Sequence, residues 1–494
     1  MSANVVSRRS FLGASALGAA SIGACSAQDG WKELFDGKTL NGWKPSGNQD
    51  SWKVVDGQLS GDGPTSHLFY TGGVYKNFEL EAEVLARPLC NSGVFFHTVF
   101  QEKGFPQKGF EIQVNNTAEG EKGYFERKKT GSLYGVRNIY KQLIPDNEWF
   151  TMHLAVRGKN VQVRLNGLLV VDFNEATPAV LAEGSERGRM LDQGTFALQC
   201  HDPGSKVRYR RIRVKALPDN QPAVAAPDVD GLYRKIITLA SKNFPLVDHH
   251  VHLKAGLTLE QALAKSRRDG IQYGIAINAG KGMTAEDDST ARKYVEGMKG
   301  QPCFIAMQAE GREWVDMISR KTASMFDYIF TDSMTFTDNK GRRMRTWLKD
   351  EVGAIPDPQE FMEVLVDRTV GILEREPVDI YVNPTFLPDV IAADYDKLWT
   401  EARMKRVIDA ALKNSVAIEI NNRYKLPGVK FIKMAKAAGC KFTFGSNNSS
   451  LADLGRCEYG IKMVDECKLT WQQMWVAGAF GPKAVDRKGG VLKG

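Results

Sequence analysis

The chain has 494 residues, of which 43% are hydrophobic and 25% are charged. This length and composition exclude a single small module, a collagen, a coiled coil and a disordered chain, and they predict two large domains or about three smaller ones. The formal net charge of +8 is spread over both halves of the chain, which argues against a nucleic-acid-binding domain because such a domain concentrates its basic charge.

Residues 1–25 predict an export signal. Arg8 and Arg9 precede an apolar run of small residues, Gly13 to Ala24, which ends at Cys25. Such a run is too short to span a membrane and is typical of a cleaved signal. The paired arginines resemble the bacterial twin-arginine export signal, and the residues before Cys25 resemble a lipoprotein processing box. We expect a periplasmic or cell-envelope lipoprotein that contacts the membrane only through a lipid on Cys25; the alternative is an ordinary signal peptide.

The other six cysteines form no CxxC pair, which argues against zinc knuckles and thioredoxin-like chemistry. We expect them to be buried free thiols. A disulfide between Cys90 and Cys200 is the alternative.

Residues 29–218 predict an all-β sandwich, because short alternating runs recur between turn signals. The runs are Trp52–Leu59, Phe78–Val84, Gly109–Val114, Phe150–Val156, Val161–Gly167 and Gly194–Gln199. In the last strand, the apolar residues occupy odd-numbered positions up to Tyr209 and even-numbered positions from Ile212 onward. This change predicts a β-bulge at Arg210 and Arg211, which would keep both apolar pairs inside while the arginines face water.

The same alternation predicts which polar side chains share a face. Glu111 and Gln113 oppose the apolar residues of their strand, and Gln199 and His201 do so in another strand. His97 falls on a mixed face of aromatic and small side chains, which could line a sugar site. The alternative for each of these residues is a solvated sandwich face.

Seven segments of this region, taken in chain order, resemble the 3-keto-disaccharide hydrolase domain. They are Leu34–Trp43, Asn91–Phe96, Glu111–Gln113, Gly131–Tyr134, Trp149, Asn166–Gly167 and Gly194–Arg213. The resemblance implies a concanavalin-like jelly roll related to glucanases. Two positions depart from the family pattern: His97 stands where an arginine is common, and Arg211 stands where an asparagine is usual.

The resemblance also implies that the domain hydrolyses 3-keto-glycosides. A ketone at C3 acidifies the C2 proton, so a base can remove this proton and expel the C1 substituent, after which water adds back. Glu111 and His201 are the first candidates for the base, and His97 is the next. Candidate substrate-binding residues are Asn91, Gln113, Tyr134 and Gln199.

Residues 219–243 predict a proline-containing linker and lead-in. Beyond them, strand-like and helical segments alternate, which predicts a closed or nearly closed parallel barrel of the (β/α)7 type over residues 244–494, with any site at the carboxyl ends of its strands. The strand-like runs are Leu246–Leu253, Gln272–Asn278, Cys303–Gln308, Tyr328–Asp332, Ile380–Asn383, Val416–Asn421 and Phe442–Gly445.

The first barrel strand carries a candidate metal motif. Alternation places Asp248, His250 and His252 on one face and His249 on the other. Two imidazoles two residues apart can bind one metal ion. An H-x-H at the end of a first barrel strand resembles the metal-dependent hydrolases, most of all the PHP (polymerase and histidinol phosphatase) superfamily. By this resemblance the further ligands of a zinc or manganese ion are Glu310, Asp332 and Glu419.

Several positions depart from the PHP pattern. No histidine follows His252, Asn383 stands where a histidine is expected, and Asn447 and Asn448 stand where an aspartate and a histidine are usual. Because asparagine is neutral, it is a poorer ligand than either. Two alternatives stay open: a one-metal or altered site, and a metal-free barrel whose histidines form hydrogen bonds or bind substrate.

Two classes of function follow from these patterns. In the first, the jelly roll cleaves 3-keto-glycosides, and the barrel processes a product. In the second, the jelly roll only binds carbohydrate, and the barrel is the hydrolase or a non-catalytic partner. In both classes the ligand is a small carbohydrate and no nucleic acid takes part.

Overall fold

The computed structural model describes residues 30–118, 126–182 and 189–494. The predicted export signal and Cys25 lie outside the described residues. Strands and one short 3-10 helix make up the first folded region, from Trp31 to Ala216, and strands and helices make up the second, from Gly231 onward. Within the part of the chain that the structure describes, no helix has the length and apolar character needed to cross a membrane.

The first region contains strands β1 to β13, numbered in chain order, in two antiparallel sheets. The larger sheet has the order β11-β10-β9-β6-β13-β4-β3, and β1 also pairs with β13. Its strands are β1 (Trp31–Glu33), β3 (Trp52–Val55), β4 (Gln58–Asp62), β6 (Phe78–Ala86), β9 (Trp149–Arg157), β10 (Asn160–Leu165), β11 (Leu168–Asn174) and β13 (Lys206–Ala216).

The smaller sheet has the order β2-β5-β12-β7-β8. Its strands are β2 (Trp43–Gly47), β5 (Ser66–Tyr70), β7 (Ser92–Thr98), β8 (Phe110–Val114) and β12 (Thr195–Cys200). Alternate side chains of the two sheets meet in one hydrophobic core, where Leu80 and Leu154 of the larger sheet join Val94 and Leu198 of the smaller one. The predicted all-β jelly roll is confirmed.

The predicted bulge in β13 is also confirmed. The pairing of β13 with β6 shifts register between Arg210 and Arg213, and Arg211 has a φ of +48°. The shift keeps both Tyr209 and Ile212 buried, as the change of parity in the sequence requires.

The structure distinguishes between the two predictions for the cysteines, buried free thiols or a disulfide between Cys90 and Cys200. Among the described residues, all six cysteines are free and buried, including Cys90 and Cys200. The prediction of buried thiols is therefore confirmed.

The second region contains a closed barrel of seven parallel strands, as predicted. The barrel strands are β14 (Val247–Val251), β15 (Gln272–Ala279), β16 (Phe304–Ala309), β17 (Tyr328–Thr331), β20 (Ile380–Tyr381), β21 (Ala417–Asn421) and β22 (Phe442–Gly445). A hairpin of β18 (Thr335–Thr337) and β19 (Arg343–Arg345) lies outside the barrel.

Helices connect the barrel strands, and several begin at capping residues. Thr258 forms a capping box before α2, and Asp357 caps α7 just before Pro358. The helices are α1 (Gly231–Ser241), α2 (Leu259–Asp269), α3 (Asp288–Met298), α4 (Trp314–Met317), α5 (Arg320–Ala323), α6 (Lys349–Val352), α7 (Pro358–Arg375), α8 (Asp389–Ala392), α9 (Tyr395–Leu398), α10 (Glu401–Lys413), α11 (Val429–Ala438), α12 (Glu458–Glu466) and α13 (Ala484–Lys488).

The jelly roll contacts the amino-terminal end of the barrel through residues 126–142. The backbone N of Tyr140 donates to Oε1 of Gln272, the first residue of β15, at 2.8 Å. Lys141 Nζ donates to the carbonyl oxygen of Cys303 and to Asp327, which directly precede β16 and β17, at 2.8 Å each. The interface is therefore at the opposite end of the barrel from the predicted metal ligands, which follow or end the strands.

Candidate functional site

The outer face of the smaller sheet carries two rows of side chains, because residues paired across neighbouring strands point the same way. Glu111 pairs with Phe95, and Gln113 pairs with Gly93. On the other side of β7, Ala197 pairs with both Phe95 and Phe69, and Gln199 pairs with His67. One row is therefore mainly apolar and ends at Glu111, and the other is mainly polar. The apolar row consists of Phe69, Ala197, Phe95 and Glu111. The polar row consists of His67, Gln199, Gly93 and Gln113.

This outer face is buried, unlike the outer face of an ordinary sandwich. Glu111 is 8% exposed, Gln113 1% and Gln199 2%. The segment after β7 covers the rows with two aromatic rings: Phe100 lies 5.4 Å from Phe69, and Phe105 lies 5.5 Å from His67, between ring centroids. A solvated face is therefore excluded for Glu111, Gln113 and Gln199.

The polar row contains two buried acceptors without a partner. Gln113 Nε2 donates to Asn91 Oδ1 at 2.8 Å, and Gln199 Nε2 lies 3.3 Å from His67 Nε2. The Oε1 atoms of Gln113 and Gln199 accept no hydrogen bond within the described structure. Because buried polar atoms in folded proteins normally have partners, these two oxygens are well placed to accept hydrogen bonds from a hydroxylated ligand.

Glu111 is held in place by a glycine on the neighbouring strand. A Cβ at position 93 would lie 2.3 Å from Glu111 Oε1 and 2.8 Å from its Cγ. The absence of a side chain at Gly93 therefore leaves the space that the Glu111 carboxyl group fills. The backbone N of Tyr134 donates to the carbonyl oxygen of Glu111 at 2.9 Å, so the predicted substrate-binding residue Tyr134 lies beside it.

A buried ion pair lies next to Tyr134. Lys128 Nζ is 3.2 Å from Glu126 Oε1, and both side chains are 1% exposed. Tyr134 donates its hydroxyl hydrogen to Glu126 Oε2 at 3.1 Å, and Lys128 Nζ lies 4.2 Å from the centroid of the Tyr134 ring. Burial lowers the pKa of Lys128, whereas the charges of Glu126 and Glu111 act in the opposite sense. The site therefore places a cation within electrostatic reach of Glu111.

His201 lies at the edge of the same face, directly after β12. Its ring centroid is 5.3 Å from that of Phe105, and its Nδ1 is 3.1 Å from Asp202 Oδ2. The ring is partly exposed, and the backbone N donates to the carbonyl oxygen of Asn91 at 3.3 Å. His201 thus borders the rows without belonging to either.

His97 does not share this face, contrary to the alternation argument. The pairing of β7 with β12 shifts register before His97, whose φ is +55°. The shift turns the ring against Phe78 of the larger sheet, at 5.7 Å between centroids. Its Nε2 lies 2.9 Å from the carbonyl oxygen of Lys76, and its Nδ1 accepts from the backbone N of Asp192 at 3.2 Å. Both ring nitrogens are therefore used in holding loops together.

Sequence reasoning missed three residues of this site. The run Ser66–Tyr70 alternates around Leu68, which lies in the core, so it contained the signal that would have placed His67 on the outer face. Glu126 and Lys128 lie outside any strand, in a segment without periodicity, and no sequence pattern indicates that they are buried.

The predicted metal ligands gather at the carboxyl end of the barrel strands. Nδ1 of His250 lies 2.7 Å from Oε1 of Glu419, and the rings of His250 and His252 are 5.2 Å apart between centroids. Glu310 and Asp332 directly follow β16 and β17. Burial, together with the charge of Asp332, raises the pKa of Glu310 to about 8, and burial raises the pKa of Asp332.

The first barrel strand does not follow simple alternation. Its pairing with β15 shifts register between Asp248 and Val251. His249 lies 5.4 Å from Tyr328 and His250 lies 4.8 Å from Phe330, between ring centroids. Because Tyr328 and Phe330 are two residues apart on β17, the two histidines contact the same side of that strand. The prediction that His249 faces away from His250 is therefore wrong.

The protein engages these predicted ligands only in part. Oε2 of Glu310 and Nε2 of His250 are buried without a hydrogen-bond partner in the described structure, whereas Asp332 and Glu419 already accept hydrogen bonds on their carboxylate oxygens. Glu419 Oε2 accepts from the backbone N of Asn383 and from Asn421 Nδ2, at 2.7 and 2.9 Å. The two oxygens of Asp332 accept from the backbone N of Met334 and from Asn383 Nδ2, at 2.9 Å each. Among the described residues, no group of three or more His, Cys, Asp or Glu side chains is placed to share an ion.

Comparison with known proteins identifies relatives of the jelly roll. Residues 30–215 match the model of a family described as the 3-keto-alpha-glucoside-1,2-lyase-like domain. A 3-keto-disaccharide hydrolase of Bacteroides thetaiotaomicron is 37% identical over 231 residues, covering 38% of this chain and 79% of that protein. The family match ends before the barrel begins.

Two solved structures are also similar to this region. One, from Parabacteroides distasonis ATCC 8503 and provisionally described as a glycosyl hydrolase, has 26% identity and a TM-score of 0.33, and covers 38% of this chain and 95% of that one. The other is the carbohydrate-binding module CBM66 from Bacillus subtilis, with 14% identity and a TM-score of 0.23, covering 35% of this chain and 96% of that one.

Proposed function

The chain belongs to the 3-keto-disaccharide hydrolase family through its jelly roll, and from that premise we propose that the outer face of the smaller sheet cleaves 3-keto-glycosides. The observation that carries this proposal is the buried Glu111, which ends the mainly apolar row and packs on Gly93 of the neighbouring strand. The wider class, a carbohydrate-active hydrolase, follows from the family itself.

In the proposed mechanism, Glu111 is the general base. Its carboxylate takes the C2 proton, which the neighbouring C3 ketone acidifies. The C–H electron pair then forms a C1–C2 double bond, and the C1–O bond breaks to release the aglycone, whose oxygen takes a proton. Water adds across the double bond, with hydroxyl to C1 and hydrogen to C2, which completes a net hydrolysis. Lys128, on which the charge of Glu111 acts, is the cation that can stabilise the negative charge of the enolate.

The rest of the face is suited to hold the sugar. The free Oε1 atoms of Gln113 and Gln199 can accept hydrogen bonds from pyranose hydroxyls. Phe105, whose ring lies between His67 and His201, offers an apolar surface to the C–H face of the ring. His201 is then a binding residue at the edge of the site, and it is the second candidate for the base.

The barrel is proposed to have the (β/α)7 arrangement, since at least one helix lies between each pair of consecutive barrel strands. A PHP-like origin rests on the sequence resemblance alone. Since no three His, Cys, Asp or Glu side chains among the described residues are placed to share an ion, we propose that the barrel serves the reaction without a bound ion.

Export is a separate proposal that rests on the sequence. Arg8, Arg9 and Cys25 support transport by the twin-arginine route and attachment through a lipid. A periplasmic or cell-envelope location would place the enzyme where small glycosides enter the cell.

The proposed function is tested by incubating the purified full chain with a 3-keto-disaccharide and, in parallel, with the parent disaccharide. Release of both monosaccharide units from the 3-keto substrate alone supports elimination followed by hydration, because only the ketone acidifies the C2 proton. Equal cleavage of both substrates would indicate ordinary glycoside hydrolysis, and no cleavage of either would refute the proposal.

A further inference from the structure

A side chain outside the jelly roll reaches the buried ion pair beside Tyr134. Asn243 lies in the lead-in between α1 and β14, and its Oδ1 accepts a hydrogen bond from Lys128 Nζ at 2.9 Å. The residue is buried and has a φ of +58°, a left-handed conformation that asparagine adopts more readily than most residues.

Lys128 depends on this acceptor. An ammonium group has three donors and is stable in a protein interior only when it is paired and hydrogen-bonded. Lys128 contacts Glu126 at 3.2 Å, Asn243 at 2.9 Å and the Tyr134 ring at 4.2 Å. Asn243 is thus the partner on the barrel side that fixes where the ammonium group sits.

The network continues from Lys128 into the proposed catalytic face. Glu126 uses one oxygen for Lys128 and the other for the hydroxyl of Tyr134. Tyr134 in turn donates its backbone N–H to the carbonyl oxygen of Glu111. A displacement of Lys128 therefore reaches both Tyr134 and the charge environment of Glu111.

We infer that Asn243 is a positioning residue for the jelly-roll site, so that this site is complete only when the barrel is docked. The inference rests on the proposed function, because it assigns the docked barrel a role in the same reaction. It also gives the second domain a use that requires neither a metal nor a second active site.

Two substitutions at position 243 and one control, all in the full chain, test the inference. Asn243→Gly removes the acceptor and tolerates the positive φ, whereas Asn243→Asp keeps an acceptor of the same shape. The control, Tyr140→Phe, removes a hydrogen bond to the carbonyl oxygen of Phe244 across the same interface without touching Lys128. The measurements are kcat and KM on a 3-keto-disaccharide over a range of pH.

We expect Asn243→Gly to lose about tenfold or more in kcat/KM, the size of effect that a misplaced group produces. The acidic limb of its pH profile is expected to move to higher pH, because a displaced Lys128 no longer favours the carboxylate form of Glu111. Asn243→Asp is expected to restore most of the activity, and Tyr140→Phe to leave the profile in place. A merely weakened fold would lower activity without shifting the profile.

If Asn243→Gly keeps the pH profile of the wild type, the inference is overturned and the proposed function stays intact. The same holds if Asn243→Gly and Tyr140→Phe lose equal amounts of kcat/KM. If the wild-type chain cleaves no 3-keto substrate, the proposed function fails. The inference is then tested by backbone amide hydrogen exchange alone. Faster exchange over residues 126–134 in Asn243→Gly than in Asn243→Asp supports it, and equal exchange overturns it. If Asn243→Gly does not fold, Lys128→Met is expected to give the same shift of the profile, and an unshifted profile counts against the inference.

Discussion

Glu111 packs directly on Gly93 of the neighbouring strand, so that a Cβ at position 93 would come within 2.3 Å of its carboxyl oxygen. The contact links the choice of residue in β7 to the position of the proposed base in β8. It explains why the run Asn91–Phe96 has a glycine in the middle of a buried strand, where glycine otherwise weakens a sheet.

Gly93→Ala is expected to reduce kcat/KM by about tenfold or more, because the added methyl group forces the Glu111 side chain to move while the backbone can stay in place. The matched control is Gly297→Ala in α3, where a Cβ would meet nothing within 4 Å. Steady-state kinetics and thermal melting of both variants separate a displaced base from a weakened fold. Activity in Gly93→Ala equal to that of the control would show that the position of Glu111 is not critical.

His97→Asn is expected to leave kcat/KM within about threefold of wild type, because His97 lies off the proposed catalytic face and both of its ring nitrogens contact backbone atoms of loops. Asparagine tolerates the positive φ at this position. A loss as large as that of a Glu111 variant would return His97 to the list of catalytic residues.

The same variant tests a pH effect on stability. Burial lowers the pKa of His97 to about 4. The unfolded chain, in which the pKa is about 6.5, therefore binds more protons between pH 6.5 and 4, so stability falls as the pH is lowered through this window, by at most about 3 kcal/mol. Thermal melting of His97→Asn should show a weaker pH dependence than wild type. If the melting temperatures of His97→Asn and the wild type depend on pH in the same way, the lowered pKa of His97 is contradicted.

Much of the fold could be predicted from the sequence. The alternation in β8 indicated that Glu111 and Gln113 share a face, the alternation in β12 placed Gln199 opposite the apolar residues of its strand, and the parity change in β13 indicated the bulge at Arg210 and Arg211. These predictions succeed because a strand has a fixed period of two residues. The alternation failed at His97 and His249, where a register shift breaks that period.

The remaining part of the site could not be predicted, because it depends on contacts distant in sequence. Lys128 and Asn243 are 115 residues apart and belong to different domains. Likewise, the H-x-H motif correctly brings His250 close to Glu419, but the asparagine at 383 supplies donors to both Asp332 and Glu419. The engagement of these carboxylates is visible only in the folded barrel.

The full chain, purified without chelators, is expected to contain no stoichiometric zinc or manganese, since no three His, Cys, Asp or Glu side chains among the described residues are placed to share an ion. Elemental analysis measures this directly, with the double variant His250→Ala, His252→Ala for comparison. Chelator treatment should leave the melting temperature unchanged. One zinc or manganese ion per chain in the parent, absent from the double variant, would contradict this expectation and restore the predicted metal site.

Replacement of Arg8 and Arg9 by lysine is expected to leave the precursor in the cytoplasm, because the paired arginines carry the resemblance to the export signal. Cell fractionation with immunodetection measures the distribution. A matched Lys38→Arg variant, within the jelly roll, should be exported normally. Normal export of the double variant would refute the twin-arginine assignment.

The central claim, that Glu111 removes the C2 proton of a 3-keto-glycoside, is tested most directly by hydrogen exchange at C2. Wild-type chain and Glu111→Gln are incubated with a 3-keto-disaccharide in deuterated water, with His201→Asn beside them. We predict deuterium at C2 of the product from the wild type and from His201→Asn. We also predict that the turnover rate of Glu111→Gln is lower by about 100-fold or more. Unaltered turnover in Glu111→Gln, or products without deuterium at C2, would contradict the central claim.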